Sequence, residues 1–138
     1  MWNSPARWGD TRGIEALLPA VVHGADGTTA VETSIRRDAY RDVVAGDLSA
    51  EDALTAAATQ RTVIAGALDE PSPAVGWHAL PSWFVIATRD RLISPAAQRS
   101  MALRAGAETV EIDASHAVCR SRPAEVAEVI ATAARAAA

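Results

Sequence analysis

The feature that most constrains this chain is the order of patterns in its last third. Trp83-Phe84-Val85-Ile86-Ala87-Thr88 is a short apolar run introduced by Pro81, and such a run reads as a strand buried on both faces of a parallel sheet. Ser94 then offers a capping oxygen to a helix whose first residue is Pro95 and whose stop is Gly106, after Ala105. The stretch Glu108 to Asp113 follows, with Val110 and Ile112 alternating inward, and predicts a second strand. A last helix starts at Pro123 and lines up Val126, Val129, Ile130 and Ala133 on one face before an alanine-rich tail. Strand, helix, strand, helix is the grammar of an α/β fold with a parallel sheet.

Upstream the signals are shorter. Residues 1–19 show Trp2, Pro5, Trp8, Gly9, Gly13 and Pro19 without periodicity, which predicts an irregular segment with at most one short helix around Ile14 to Leu18. Ala20-Val21-Val22-His23 and Ala30-Val31-Glu32-Thr33 flank Gly24-Ala25-Asp26-Gly27, the pattern of a short antiparallel hairpin. A helix from Arg36 to Ala45 puts Tyr40, Val43 and Val44 on one side, with Gly46 as its left-handed stop. Ser49 caps the next helix, Asp52 places a carboxylate in its first turn, and Leu54, Ala58, Ala65 and Leu68 mark an apolar face. Asp69-Glu70-Pro71-Ser72-Pro73 breaks that pattern. The resulting division is an irregular 1–19, a hairpin-and-helix part over 20–70, a linker over 71–80, and a βαβα part over 81–138.

Composition matters mainly for what it excludes. With 138 residues, 49% apolar and 22% charged, the chain suits one globular core. No apolar run approaches the roughly 20 residues of a membrane span, and nothing at the N-terminus marks a secretory leader, so a cytoplasmic protein is expected. The net charge of -4 and the scattered arginines argue against a nucleic-acid partner. Arg36-Arg37 and the Arg89/Arg91 pair are expected on solvated faces. A single cysteine, Cys119, can form neither an internal disulfide nor a cysteine-based metal site, and reads as a small packing residue. No metal or organic cofactor is expected.

Parallel strands joined by a crossover send the loops at their carboxyl ends to one edge of the sheet, where active sites of open α/β sheets lie. Asp90 falls in the first such loop and His116 in the second. Neighbouring strands are about 4.8 Å apart, so the carboxylate can reach the imidazole. In such a pair the carboxylate fixes the tautomer while Nε2 takes a proton from a serine hydroxyl and later returns it to the leaving group. Acid before histidine is also the order of serine hydrolases built on this kind of sheet. Spacing alone leaves other roles open: Asp90 as a turn or capping residue, His116 as a surface group.

The run Pro81-Ser82-Trp83-Phe84-Val85-Ile86-Ala87-Thr88-Arg89-Asp90-Arg91-Leu92-Ile93-Ser94-Pro95, with Gln98, Met101-Ala102, Arg104-Ala105-Gly106-Ala107 and Ser115-His116-Ala117, resembles bacterial α/β-hydrolases related to plant methylesterases and hydroxynitrile lyases. Tyr40-Arg41-Asp42-Val43-Val44-Ala45-Gly46-Asp47-Leu48 and Ala58-Thr59-Gln60-Arg61 resemble the cap helices of that family, and the hairpin its cap strands. The resemblance implies the C-terminal part of an α/β-hydrolase fold: a helical cap with a hairpin, then the last two core strands. It makes Asp90 the catalytic acid and His116 the catalytic histidine of an enzyme that uses no cofactor. The lyase branch carries a lysine directly after the histidine, where this chain has Ala117, which tilts the implied chemistry toward hydrolysis of small esters.

That chemistry needs a serine on a strained strand-to-helix turn, G-x-S-x-G, and no such motif occurs in these 138 residues. Ala20-Val21-Val22-His23-Gly24-Ala25 superficially resembles the His-Gly turn of an oxyanion loop, but cap-like helices follow it where further strands and the elbow should stand. His23 and His78 therefore read as a hairpin residue and a linker residue. The expectation is a chain truncated to the C-terminal half, inactive alone, with an open strand edge and apolar surface that favour self-association or a complementing N-terminal half. A non-catalytic interaction module is the competing expectation.

Overall fold

The computed structural model describes residues 15–68, 70–71 and 74–137. Strands β1 (Leu17–His23) and β2 (Thr29–Ile35) form an antiparallel hairpin, extended by a two-residue strand β3 (Val63–Ile64) in the order β1-β2-β3. Between β2 and β3 lie helices α1 (Arg37–Val43) and α2 (Ala50–Thr59). Two 3-10 turns, Ala65–Leu68 and Gly76–His78, precede strand β4 (Trp83–Ala87). Helix α3 (Pro95–Ala105), strand β5 (Glu108–Ile112), the short helix α4 (Val118–Ser121) and helix α5 (Pro123–Ala136) complete the chain. Strands β4 and β5 pair in parallel, Trp83 opposite Glu108 through Ala87 opposite Ile112. The expected βαβα order is thus present.

The hairpin is longer than its apolar pattern indicated. Leu17, Leu18 and Pro19, expected in an irregular segment, are the first residues of β1, and the helix expected around Ile14 to Leu18 does not form over its described residues beyond Glu15; Ile14 and the rest of 1–14 lie outside the described residues. Pairing with Ile35, Ser34 and Thr33 recruits them. At the turn, Asp26 Oδ1 accepts hydrogen bonds from the Thr28 N-H and hydroxyl, and Gly27 takes φ +81°, a conformation that suits glycine. Those two bonds hold the Asp26 carboxyl below its ordinary value.

The two upstream helices pack differently from expectation. Gly46 is not a left-handed stop: α1 ends at Val43, its cap Val44 remains near helical angles, and only Gly27 and Gly106 have positive φ among the described residues. In α2 the Ser49 cap and Asp52 stand as expected, with Ser49 Oγ accepting from the Asp52 N-H at 3.0 Å. The buried side is Ala53, Ala56 and Ala57, however, while Leu54 points outward and Ala58 is exposed. The helix stops at Thr59 because Gln60 turns extended and its amide bridges β2, accepting from the Ile35 N-H and donating to the Ile35 carbonyl. Ala65 and Leu68 consequently belong to a separate 3-10 turn.

One core cluster ties the parts together. Ala16, Val43 and Val44 are buried, with Ile35, Ala39, Tyr40 and Leu92 packed around them, so the hairpin end, α1 and the loop after β4 share one apolar contact. In the parallel pair only Ile86, Ala87 and Ile112 are buried; Trp83, Phe84 and Val85 are half-buried and Val110 is exposed. The expectations of a strand covered on both faces and of an inward Val110 are both corrected. β5 has β4 on one side and no described strand on the other, which leaves that backbone edge unpaired, and its side chains from Glu108 to Glu111 are exposed. Helix α3 keeps all three expected features: Ser94 accepts from the Ala97 N-H at 3.2 Å, Pro95 is its first residue, and Gly106 closes it at φ +61°. Cys119 is exposed on α4 and not a packing residue, because that helix buries none of its residues.

Candidate active site

The parallel ladder does not end with the strands. Thr88 N-H donates to the Ile112 carbonyl at 2.9 Å and Arg89 N-H to the Ala114 carbonyl at 3.0 Å, so the loops after β4 and β5 stay zipped together. Asp90 N-H folds back to the Ala87 carbonyl at 3.2 Å. This turn drops the Asp90 side chain inward to 3% exposure, and the next loop brings the His116 ring over it with about a third of its surface open, 35%. His116 Nδ1 and Asp90 Oδ2 are 2.8 Å apart. Both residues singled out from the sequence therefore meet at the carboxyl edge of the parallel pair.

Every lone-pair direction of the Asp90 carboxylate has a donor. Oδ1 accepts from the Leu92 N-H at 2.8 Å and the Ile93 N-H at 2.9 Å, a local turn that aspartate makes with its own following backbone. Oδ2 accepts from the Gln98 amide at 2.7 Å as well as from His116. A carboxylate offers about four such positions, so the group is immobilised with no direction left for water. An ionised carboxylate only accepts, so of the two neutral tautomers this contact selects the one with the proton on Nδ1 and the lone pair on Nε2. That is the tautomer a general base requires.

Gln98 was present in the sequence pattern without a role. Helix α3 holds it at 5% exposure, and each of its amide atoms is engaged: Oε1 accepts from the Ala87 N-H at 3.0 Å, and Nε2 donates to Asp90 Oδ2 and to the Ile93 carbonyl at 2.8 Å. It thus links the end of β4, the aspartate and the loop between them. No periodicity signals this; a polar residue on the buried side of an otherwise alanine-rich helix was the available hint.

The histidine loop is fastened from the other side. Ser115 N-H donates to Asp47 Oδ2 at 3.0 Å, and its hydroxyl donates to Asp47 Oδ1 and lies 3.0 Å from the Val44 carbonyl. Ala117 N-H donates to the same carbonyl at 2.9 Å. The last carbonyls of a helix lack partners within it, and the end of α1 is satisfied here by the loop that carries His116. Burial pushes the Asp47 carboxyl up, but the Ser115 hydroxyl and N-H together with the Ser121 hydroxyl outweigh that and hold it below its ordinary value.

The expected solvated arginines Arg36, Arg37, Arg89 and Arg91 are exposed, and three of them pair with acids: Arg36 with Asp38, Arg89 with Asp113 at 2.7 Å, and Arg91 with Asp42. A polar groove of about 370 Å³ beside the histidine loop is lined in part by Arg41, Arg89, Arg91, Asp47 and Ser115. His23 is exposed at the hairpin end, 3.4 Å from the Thr29 hydroxyl, and His78 sits on a 3-10 turn with its ring near Trp77. Neither approaches the Asp90 and His116 pair as a bonded partner. Among the described residues no helix is long and apolar enough to cross a membrane.

This geometry agrees with what the chain is similar to. The model of the alpha/beta hydrolase family matches residues 2–129. The chain belongs to the alpha/beta hydrolase family. Among solved structures it is similar to polyneuridine aldehyde esterase, with a TM-score of 0.73 and 13% identity over 88% of this chain. A histidine-to-alanine variant of the same esterase gives a TM-score of 0.72 and 12% identity over the same share. The alignment covers 49% of each of those chains, so this alpha/beta hydrolase spans about half the length of the solved structures it matches. At that identity the likeness is one of fold. A comparison with curated proteins finds no match.

Proposed function

We propose that this chain supplies the acid and the histidine of a serine-type hydrolase acting on small carboxylic esters. Residues 20–70 contribute a cap and residues 81–138 the closing part of the core. In this reading His116 Nε2 takes the proton of a serine hydroxyl as the oxygen attacks the ester carbonyl, then protonates the departing alkoxide; water hydrolyses the acyl-serine by the same route. Asp90 holds the ring and stabilises the imidazolium. The observation that carries the reading is the 2.8 Å contact from His116 Nδ1 to a buried, fully bonded carboxylate. Ala117, standing where the lyase branch has lysine, favours ester hydrolysis over cyanohydrin cleavage.

The nucleophile and oxyanion donors must come from outside these residues, which contain no G-x-S-x-G turn. The chain by itself should therefore leave a short-chain aryl ester untouched. Mixed with an N-terminal half from a solved relative that carries the elbow, it should turn that ester over. His116→Ala should lower the restored kcat by about 10⁵ or more, and Asp90→Asn by about 10⁴. A folded, complemented protein whose turnover is indifferent to His116→Ala would end the proposal. One observation favours a second reading, a non-catalytic binding module: Leu17, Val21, Val31 and Val63 share one face of the hairpin sheet and are all exposed. A complementing half that binds tightly yet yields no turnover would support that reading instead.

A further inference from the structure

The residues that flank His116 are both held by one short segment after α1. Ser115 gives two hydrogen bonds to the Asp47 carboxylate and places its hydroxyl against the Val44 carbonyl, while Ala117 gives its N-H to that same carbonyl. The Ser115 hydroxyl also accepts from the Ala117 N-H at 3.3 Å, closing a ring of contacts around the histidine backbone. Ser115 is 5% exposed, so its polar groups have little water to fall back on. The partners are 68 and 71 residues apart in the chain. On the other side of the imidazole stands Asp90, which is fixed separately by Leu92, Ile93 and Gln98.

We propose that Asp47 is a positioning residue for His116, a carboxylate clasp by which the cap-like segment sets the histidine backbone against Asp90. The proposal rests on the hydrolase reading for its meaning but on the Ser115 contacts for its geometry. Asp90 can fix the ring only if the backbone presents the ring at the right height. Without Asp47, the loop from Asp113 to Ala117 keeps its Val44 contacts but loses two of the bonds that fix Ser115. The ring then samples positions in which Nδ1 no longer faces Oδ2. Loose placement by about 1 Å is enough to cost a reaction about a hundredfold.

The test uses the full chain and has two arms. In the first, NMR follows the low-field Nδ1 proton of His116 and the hydrogen exchange of the Ser115, Leu92 and Ile93 amides. For Asp47→Ala the expected result is at least about tenfold faster exchange at Ser115, corresponding to one broken hydrogen bond, and a broadened Nδ1 proton. Leu92 and Ile93, which report on Asp90, should stay protected. If Asp47→Ala does not fold, Asp47→Asn decides: its amide oxygen can take only one good bond from Ser115, so the same changes should appear in weaker form. A folded variant of either kind with the parent's Ser115 exchange and Nδ1 signal would overturn the clasp. In the second arm, the complemented enzyme carrying Asp47→Ala should lose kcat about tenfold or more with KM within about twofold, the split expected when placement but not binding is impaired, and Asp47→Asn should recover part of it. Changed spectra with no hydrolysis by the parent would sink the hydrolase reading and leave the clasp standing; unchanged spectra with an active parent would sink the clasp alone.

Discussion

The hairpin sheet turns large apolar side chains outward, with Leu18, Val21 and Ile64 all more than half exposed, whereas the parallel pair ends in loops whose polar side chains are buried and bonded. Asp90, Gln98 and Ser115 are the buried polar residues among those described, and all three lie at the carboxyl edge of β4 and β5. Ordinary packing would place these groups the other way round. The turn at Asp26 to Thr28 sets the register of the hairpin, so its side chains are free to face something else. The parallel pair has short strands and few buried apolar residues, and its loops are held by a hydrogen-bond network in which each member depends on the next.

That contrast can be broken most severely at Gln98. Replacing it with alanine removes the partners of the Ala87 N-H, the Ile93 carbonyl and one Asp90 oxygen at once. The expected loss is about 2–4 kcal/mol of unfolding free energy, despite a slightly better helix former at that position. Denaturant unfolding would measure it, and a loss within scatter of zero would mean the network is decorative.

A milder break comes from acid. The Asp47 carboxyl is held below its ordinary value of 3.8, so the stability it contributes is present above that value and is lost as pH falls through its lower folded value. Ser115 amide protection should hold at pH 5 and fall only below about 4. The groups that face Asp47 across the groove are Asp38, Arg41, Asp42, Arg89 and Arg91, and Asp47→Asn separates its titration from theirs. If protection in that variant still fell with the parent's midpoint, another carboxyl would be responsible.

The smallest effect belongs to the hairpin. Val21→Thr keeps a β-branched side chain on an exposed face and should change stability by no more than about 0.5 kcal/mol. A loss of 2 kcal/mol or more in thermal or denaturant unfolding would show that this face is covered in solution, by another copy or by another part of the molecule, and would erase the contrast.

Legibility in the sequence followed the range of the interactions. Ser94, Pro95 and Gly106 delimited α3 correctly because capping acts between residues a few positions apart. Asp90 and His116 could be paired because topology alone sends both loops to one edge. The buried face of α2 is not legible in the sequence, because periodicity favours Leu54 as an inward residue while the packing of the helix buries the small Ala53, Ala56 and Ala57. The exposure of Val110 is not legible either, because alternation tells which face a residue occupies and not whether that face has a neighbour. Gly46 looked like a helix stop, yet the donors that end α1 come from the histidine loop, far along the chain.

The sequence by itself determined the succession of strand and helix after Pro81, the limits of α3, and the meeting of Asp90 and His116 at one sheet edge, because each depends on local backbone preferences or on the order of elements. Tertiary structure alone decided that Gln98 bonds Asp90 and that Asp47 bonds Ser115, the residue before His116. Gln98 reaches Asp90 across eight positions from the next helix and Asp47 reaches Ser115 across 68, and neither hydrogen bond follows from local backbone preference, so both exist only after the chain has folded.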